Sequence, residues 1–589
     1  MYKKIKYKKT AIFIMLQIFI LTNCLFAQNF SPGRNRGEEY LAPQLNINNL
    51  QRIIGKNSGF KNQHRNYIKE ISVTDFKGTI KVSLVYPRSD IVTAGAGTHH
   101  HKDKFLPLGI VSIAGALRQW AKQHKIDLQI QVIDMSDLNK KSEVINKIKN
   151  FKPDILGLSV LTPSFKIASA ISNDIKKILK DTIVVWGGAH ATVLPENALK
   201  SGSADIAVYG EGERTMCNIV KLLAYVHKNR NKFANNLKNI PGLSFNKSLQ
   251  TGEDIEIIKT LEADREDFTR LPLPAYDLLS SVEYRLRGKK AISVEASRGC
   301  PGKCSFCITR KIFSRVIKAR KPEQFAELLS ALNKKSGYNY FYVVDDNFTS
   351  NAKWVSQTAD IIEAQKLDIE LEIYSRADII AKNPNIVKDL KRMGIRAVFM
   401  GIESGDERIL QSLDKNIVLE NVNRAVELLN KENITVIAAF MIGAPGDDAK
   451  TIQKSIDYAN SLKSIAPIIL HLTTLTPYPG TRLTAQMQQA GLIQNQDWIN
   501  YDPHSAPPIK THNLDSSELQ KLAEEFMLSF YSLEYITKLR NLKLHHWVAE
   551  GFIANAEQIR AQRRKNIKDV TSLLETKREK MSLFLEQAI

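Results

Sequence analysis

The stretch SRGCPGKCSFC, residues 297–307, contains three of the five cysteines in this chain of 589 residues: Cys300, Cys304 and Cys307. Their spacing is Cys-x-x-x-Cys-x-x-Cys, and no fourth cysteine lies nearby. Structural zinc sites and ferredoxin-type clusters both use four protein ligands. Three thiolates can instead hold three irons of a cubane cluster and leave the fourth iron open to a small molecule. The alternatives are a three-cysteine zinc site completed by a distant histidine, or chance.

The motif lies near the start of a series of apolar strands that alternate with helical segments. From Ala291 onward the candidate strands are AISVEAS, YFYVVDD, IELEIYS, RAVFMGIES, VIAAFMIG and ILHLTTLTP. Six such units predict a partial (β/α)6 TIM-like barrel, in which chemistry is expected at the C-terminal strand ends. The cysteine motif follows the first strand, as that rule requires.

A second alternating series precedes the barrel. Its candidate strands are IKVSLVYP, LQIQVIDM, DILGLSVL, TIVVWGG and DIAVYGEG. Uninterrupted apolar strands between helices predict an α/β, Rossmann-like domain of the flavodoxin type, which binds ligands beyond the carboxyl ends of its strands. The predicted organisation is a signal-like hydrophobic segment over 1–27, a linker or extension over 28–78, the Rossmann-like domain over 79–226, a connector over 227–290, the barrel over 291–496 and a helical region over 497–589.

The cysteine motif closely resembles the signature of the radical S-adenosylmethionine (SAM) superfamily. The resemblance implies that the three cysteines hold a 4Fe–4S cluster and that SAM binds its open iron and is cleaved to a 5′-deoxyadenosyl radical. It also implies a SAM site near the strand ends, made by Phe306, Asp345, Asp346, Arg376, Glu403, Ser404 and Gly443. Core packing for Phe306 and helix capping for the aspartates are the structural alternatives.

The segments PLGIVSIAGAL, LSVLTPSF, VVWGGAHATVLPENAL and YGEGE resemble the cobalamin-binding domain that precedes many radical SAM barrels. This resemblance implies that a group of small residues lies around the corrinoid: Ser159, Thr162, Gly187, Gly188 and Gly210. The Asp-x-His-x-x-Gly motif that supplies a lower imidazole in other cobalamin proteins is absent. A corrinoid without that imidazole is expected, although His99, His100, His101 and His190 are candidates to approach the cobalt.

The N-terminus carries a basic segment, MYKKIKYKK, followed by the apolar run AIFIMLQIFILTNCLFA. This pattern is typical of a signal peptide. A membrane anchor, export and a start codon assigned too far upstream are the three interpretations. Because export would separate an oxygen-sensitive cluster from its reductant, we predict a cytoplasmic enzyme that associates with the membrane through residues 1–27.

The chain is basic, with 83 Lys and Arg against 61 Asp and Glu and a formal net charge of +22. Solvated helix faces or contact with anionic lipid explain such an excess. No RNA- or DNA-binding motif accompanies it, so nucleic acid is not an expected partner. The expected partners are a small-molecule or lipid substrate and an electron donor such as flavodoxin or ferredoxin.

These features predict a cobalamin-dependent radical SAM enzyme that transfers a methyl group to an unactivated carbon. The first alternative is a cyclase or other oxidative rearrangement enzyme of the anaerobic tetrapyrrole type. A more remote alternative is a corrinoid- or redox-sensing protein without catalysis. No residue is assigned as a catalytic acid or base.

Overall fold

Two seven-stranded sheets organise the computed structural model, which describes residues 71–88, 104–138, 140–247, 256–501, 509–542 and 548–565. The described residues belong to one compact unit. The leader-like segment over 1–27 and the candidates His99, His100 and His101 lie outside the described residues.

The first sheet has the strand order β2-β1-β3-β4-β5-β6-β7. Its first five strands run parallel, and β6 and β7 are antiparallel additions. The order 2-1-3-4-5 is that of flavodoxin, so the predicted fold type is confirmed. The strands are β1 Thr79–Tyr86, β2 Asp127–Asp134, β3 Ile155–Ser159, β4 Ile183–Gly187, β5 Ile206–Val208, β6 Leu243–Asn246 and β7 Ile257–Lys259.

Helices cover both faces of this sheet, which is why its central strands are apolar throughout. Each face has its own core of buried residues, one including Leu84 and Met216 and the other including Leu158 and Trp186. The helices are α1 Leu108–His124, α2 Lys141–Phe151, α3 Phe165–Ile178, α4 Gly188–Val193, α5 Pro195–Lys200, α6 Glu213–Tyr225 and α7 Arg230–Asn236.

The second sheet has the order β16-β15-β14-β13-β12-β9-β8, with six parallel strands and an antiparallel β8. Because β16 and β8 are the two edges of the described sheet, the barrel is open and partial, as predicted. Its strands are β8 Arg285–Leu286, β9 Lys289–Val294, β12 Tyr340–Val343, β13 Glu370–Ser375, β14 Ile395–Glu403, β15 Thr435–Ile442 and β16 Ile468–Thr474. A short hairpin of β10 Ser297–Arg298 and β11 Lys318–Ala319 frames the cysteine loop.

Helices follow the strands of this second sheet on its outer side. They are α8 Thr309–Ile312 within the cysteine loop, α9 Pro322–Ser336, α10 Ala352–Ala364, α11 Ala377–Lys382, α12 Ile386–Arg392, α13 Glu407–Ser412, α14 Leu419–Lys431, α15 Ala449–Ile465 and α16 Arg482–Gln489. The C-terminal region is helical, as predicted: α17 Ser516–Phe530, α18 Leu533–Asn541 and a helix over 548–565.

Two tyrosines of the C-terminal region cover the open edge of β16. The Tyr531 hydroxyl donates to the carbonyl of Leu470 at 2.8 Å and accepts from its N–H at 3.0 Å. The Tyr535 hydroxyl makes the same pair of bonds to Ile468. The hydroxyls thus satisfy backbone groups that an edge strand would leave unpaired.

The prediction of membrane association is wrong for the part of the chain that the structure describes. None of the described helices is both long enough and apolar enough to cross a membrane. The C-terminal region is described only up to residue 565, and there Arg563 pairs with Glu524.

Candidate active site

The cysteine loop connects β10 to β11 at the C-terminal end of the barrel's first parallel strand. Gly299 has a φ of +100°, and a Cβ there would lie 2.7 Å from the carbonyl oxygen of Val316, so only glycine fits the turn. A Cβ on Gly302 would lie 3.4 Å from the Cys300 Sγ and 3.9 Å from the Cys304 Sγ. The two sulfurs therefore lie around Gly302, and Cys307 is close enough to interact with both.

In an iron–sulfur cubane, each of three thiolates binds a separate iron. Within the described ranges, no group of three His, Cys, Asp or Glu side chains is arranged to hold a single metal ion. Burial raises the pKa values of Cys300 and Cys304, so iron must displace protons from them.

Two cations, Arg376 and Lys415, face the thiols. Arg376 Nε donates to Asp378 at 2.9 Å, and its Nη1 lies 3.5 Å from where a Cβ of Gly302 would be. Lys415 Nζ donates to Glu403 at 2.6 Å. Burial alone would lower the pKa of Lys415, but Glu403 and Cys304 outweigh it and keep the amine charged. The sequence pattern indicated Arg376 and missed Lys415.

Glu403 is held in a conformation that residues other than glycine rarely adopt, with a φ of +73°. The register between β14 and β15 shifts between Gly401 and Glu403. Such irregularities near strand ends re-aim a side chain and are common at functional sites. Here the bend brings the Glu403 carboxylate to Lys415, beside the cysteine loop.

The two aspartates at the end of β12 differ in their surroundings. Asp345 is 1% exposed and accepts from the Ala296 N–H at 2.7 Å and from the Ser297 hydroxyl. Burial raises its pKa to about 8. Asp346 instead accepts from the Gly299 N–H at 3.3 Å and from Thr309 at 2.8 Å, and lies close to Cys300. Asp346 therefore borders the cysteine loop, whereas the contacts of Asp345 fit a structural role.

The remaining residues predicted for SAM lie in packed surroundings. The Ser404 hydroxyl is buried against Ser455 at 3.1 Å. Gly443 has a φ of +94°, and a Cβ there would meet Ile509 at 3.1 Å rather than an open space. Phe306 is half-buried against the barrel core. These positions support the loops of the site, and the structure brings neither Ser404 nor Gly443 to an open surface.

A cavity of about 260 Å³ opens at the carboxyl ends of the first sheet's strands. Four of the five residues predicted to bind cobalamin line it: Ser159, Gly187, Gly188 and Gly210. A Cβ on Gly187 would meet nothing within 4 Å, so this glycine opens directly onto free space. The walls around it are apolar, including Leu84, Val185 and Met216. This cleft fits the buried part of a corrinoid ligand.

Thr162 and His190 do not line this cavity. Thr162 is 5% exposed, and its hydroxyl lies 3.4 Å from the His190 Nδ1. His190 is fully buried against Phe165 and Trp498, and burial lowers its pKa to about 4. Their contacts fit core packing and not cobalt ligation.

A buried ion network joins the two halves of the molecule on the wall of this cavity. Arg298, two residues before Cys300, donates to Glu211 at 3.1 Å, to Glu213 at 2.7 Å and to Glu295 at 3.0 Å. Glu211 and Glu213 follow β5 of the first sheet, whereas Glu295 and Arg298 belong to the barrel. The Ser112 hydroxyl also donates to Glu213 at 2.7 Å. The sequence pattern did not indicate this network.

A second cavity, of about 670 Å³, reaches into the barrel interior. It shares Leu108, Gly109, Ile110, Ser159 and Val344 with the first cavity, so the two adjoin. Its walls are mainly apolar and aromatic. They also carry the hydrogen-bonded hydroxyls of Tyr342 and Tyr374 and the buried Arg287–Glu372 ion pair. Its size falls in the range of small-molecule sites, about 300–1,000 Å³.

Two family models match the chain. The radical SAM superfamily model matches residues 294–459, which include the three cysteines. The B12 binding domain model matches residues 96–220, which include the walls of the first cavity.

Curated relatives have similar sequences. An uncharacterized methyltransferase of Pyrococcus horikoshii is 30% identical over 450 residues, which cover 76% of this chain and 91% of that protein. The anaerobic magnesium-protoporphyrin IX monomethyl ester cyclase of Rubrivivax gelatinosus is 24% identical over 70% of this chain and 71% of its own length. The hopanoid C-3 methylase of Methylococcus capsulatus is 25% identical over 64% of this chain and 67% of its own length.

Solved structures share the fold. The cobalamin-dependent SAM radical enzyme OxsB, with aqua-cobalamin and SAM bound, aligns with a TM-score of 0.61 at 17% identity, over 83% of this chain and 71% of that one. The radical SAM methyltransferase TsrM of Kitasatospora setae aligns with a TM-score of 0.55 at 16% identity, over 71% of this chain and 76% of that one.

Proposed function

Because the chain belongs to the radical SAM superfamily and carries a B12-binding domain, we propose that it transfers a methyl group to an unactivated carbon of its substrate. The protein is a radical SAM enzyme that uses a 4Fe–4S cluster, SAM and cobalamin. When bound, the cluster supplies the electron that cleaves SAM, and cobalamin carries the methyl group. The observation that carries the proposal is the junction of the two cavities at Ser159 and Val344, since a methyl group carried in the first must reach a carbon held in the second.

We assign the site residues as follows. Cys300, Cys304 and Cys307 hold the cluster, and Gly302 leaves room between them. Arg376 presents its guanidinium next to the thiols, where it can bind the SAM carboxylate. Glu403 and Asp346 border the same space and suit the amino group or ribose of SAM.

The enzyme acts on a small molecule and needs an electron donor. The walls of the second cavity support a substrate that is largely apolar. Tyr86, Phe105, Phe399 and Phe552 provide aromatic contact, and the cavity's Arg287 is already paired with Glu372. A lipid or other hydrocarbon-rich substrate with one hydrogen-bonding group, received by the hydroxyls of Tyr342 and Tyr374, fits these walls.

Oxidative ring closure is the second candidate function, because relatives named as tetrapyrrole cyclases are similar over 70% of the chain. The products distinguish the two. Methyl transfer consumes two SAM molecules, one leaving as S-adenosylhomocysteine and the other as methionine and 5′-deoxyadenosine. Cyclisation requires only the cleavage of SAM to methionine and 5′-deoxyadenosine, without S-adenosylhomocysteine. A sensor would cleave no SAM.

The test is anaerobic reconstitution with iron, sulfide and cobalamin, followed by mass spectrometry of SAM-derived products under dithionite. We expect both S-adenosylhomocysteine and 5′-deoxyadenosine. Formation of 5′-deoxyadenosine alone in the presence of the true substrate would contradict methyl transfer and favour the cyclase. Absence of both from enzyme with a full cluster would contradict catalysis.

Cobalamin binding provides a direct test of the first cavity. Gly187 has an extended backbone with a φ of −134°, so other residues fit without strain. We expect Gly187→Ala to retain cobalamin, because its Cβ meets no atom within 4 Å. Gly187→Phe should fill the cavity and lose most of the cobalamin while keeping its cluster. Visible absorbance of the purified protein measures the cobalamin content and the cluster content. Equal cobalamin content in the two variants would contradict the assignment of the first cavity to cobalamin.

A further inference from the structure

The outer surface of the cysteine loop is strongly basic. Residues 299–322 contain seven Lys and Arg and no Asp or Glu, whereas the whole chain has 83 against 61. Five of these cations are exposed: Lys303, Arg310, Lys311, Arg315 and Lys321. None of the five forms an ion pair with a carboxylate among the described residues. We call this surface the basic patch.

The segment that carries the basic patch also carries an exposed apolar side chain, next to Arg315. Val316 is 69% exposed, the highest value among the large hydrophobic residues described. Its neighbours in the loop hold it in place: the Ser314 hydroxyl accepts from the Val316 N–H and donates to its carbonyl at 2.7 Å. An apolar centre within a polar or charged rim is the usual composition of a protein–protein interface.

The basic patch is also the part of the described surface next to the cluster ligands. Gly302 lies between the exposed residues Pro301 and Lys303, and a Cβ on it would be 3.4 Å from the Cys300 sulfur. A partner that binds the patch at Lys303 would therefore contact the residue next to the cluster ligand Cys304. Arg310 and Lys311 make no side-chain hydrogen bond to any residue that the structure describes, and Lys311 lines a small cleft beside Glu262 and Asp264.

We propose that the basic patch, together with Val316, docks the electron donor of this enzyme, and that the donor is a small, acidic, one-electron redox protein. The proposal rests on the proposed function, since only a cluster on Cys300, Cys304 and Cys307 needs an electron here. A flavodoxin hydroquinone is oxidised to its semiquinone, the cluster is reduced by one electron, and no proton crosses the interface. Redox encounters use small interfaces steered by opposite charge, which this patch provides.

The test compares two variants with the same change of charge. Arg310→Glu/Lys311→Glu reverses two charges in the patch. Lys334→Glu/Lys335→Glu reverses two exposed charges at the end of α9, which is the barrel face opposite the strand ends. Reduced flavodoxin is the probe, and two readouts are followed in the full-length protein: flavodoxin binding to the apo-protein, and the rate of cluster reduction in the reconstituted enzyme.

We expect the patch variant to bind flavodoxin about tenfold more weakly or worse and to be reduced correspondingly more slowly. The control should match the wild type. Raising the salt from about 50 mM to about 500 mM should weaken wild-type binding and largely remove the difference between the variants. Val316→Ser should weaken binding without changing its salt dependence.

Dithionite separates this proposal from the proposed function. If the patch variant cleaves SAM normally under dithionite but loses flavodoxin-driven cleavage, docking is supported. Equal flavodoxin binding by the patch and control variants would overturn the docking proposal and leave the enzyme's function intact. Patch-dependent binding of an RNA oligonucleotide but not of flavodoxin would overturn it in favour of a nucleic-acid surface.

Discussion

Cys304→Ala is expected to reduce SAM cleavage to background, with no 5′-deoxyadenosine detectable under dithionite. A cubane held by two thiolates lacks a ligand on a second iron, so the cluster should not persist. Iron and sulfide content, the visible absorbance of the cluster and product formation measure the effect. Cobalamin binding should be retained, because the first cavity is lined by residues other than the cysteines.

Cys217→Ala is the matched control for this change. Cys217 lies on α6 in the core of the Rossmann-like domain, 8% exposed, and burial strongly raises the pKa of its thiol. A thiol in such surroundings is a structural, unreactive group. The variant should keep full cluster content and SAM cleavage and lose a little stability. Cleavage by Cys304→Ala at a rate near that of Cys217→Ala would contradict the assignment of the cluster.

The strands and their order could be predicted because long apolar runs alternate with helical segments in both halves of the chain. Two strands of the first sheet were missed. The segment over 227–290 was expected to be a mixed connector, yet β6 and β7 extend the first sheet antiparallel. They have four and three residues, too few to show a period in sequence, and only pairing with β5 defines them.

Placing a residue at a strand end did not predict which way its side chain points. Asp345 and Asp346 are neighbours in the loop just after β12, which ends at Val343, and their side chains have different partners. Asp345 accepts from the backbone of Ala296, whereas Asp346 contacts the cysteine loop. Gly443 matched a loop motif, but the C-terminal region that packs on it is separate in sequence.

Residues that act through distant partners were beyond the reach of local patterns. Arg298 and Glu213 are separated by 85 residues, and no spacing rule joins them. Lys415 follows Glu403 by 12 residues across a helix and pairs with it only because β14 bends at its end. The Arg298–Glu213 and Lys415–Glu403 ion pairs both lie beside the site. The sequence therefore did not predict the ion pairs that support the site electrostatically.

Arg298→Met is expected to lower the stability of the folded protein severely, because one guanidinium serves three buried carboxylates. Its side chain is 8% exposed, and those of Glu211, Glu213 and Glu295 are 6%, 5% and 12% exposed. Removing one partner of a buried ion pair typically costs about 3–5 kcal/mol, since a charge stays buried without compensation. The midpoint of urea unfolding and cobalamin retention measure the loss.

Arg118→Met provides the comparison, because Arg118 also joins the Rossmann-like domain to the segment before the barrel. It forms a two-bond pair with Asp277, at 2.9 Å for each bond. Those side chains are 49% and 64% exposed. Exposed pairs contribute about 0.2–1 kcal/mol, so this variant should resemble the wild type. Arg298→Lys should fall between, because an ammonium keeps the positive charge but is too compact to reproduce the planar, five-donor fork of the guanidinium.

The pH dependence identifies the carboxylates as the cause of the loss. Burial alone would raise the pKa of Glu213, but Arg298 and Ser112 outweigh it and hold the pKa below its usual value. Its ionised form therefore stabilises the wild type above the ordinary pKa of 4.5, and this contribution is lost as the pH falls through the folded value. In Arg298→Met no cation compensates the buried carboxylates, so their protonated forms are favoured in the folded state. The variant therefore loses stability as the pH rises and the carboxylates ionise. The difference between wild type and variant should be larger at neutral pH than near the ordinary pKa, and a difference independent of pH would attribute it to lost packing of Arg298 on Phe268 instead.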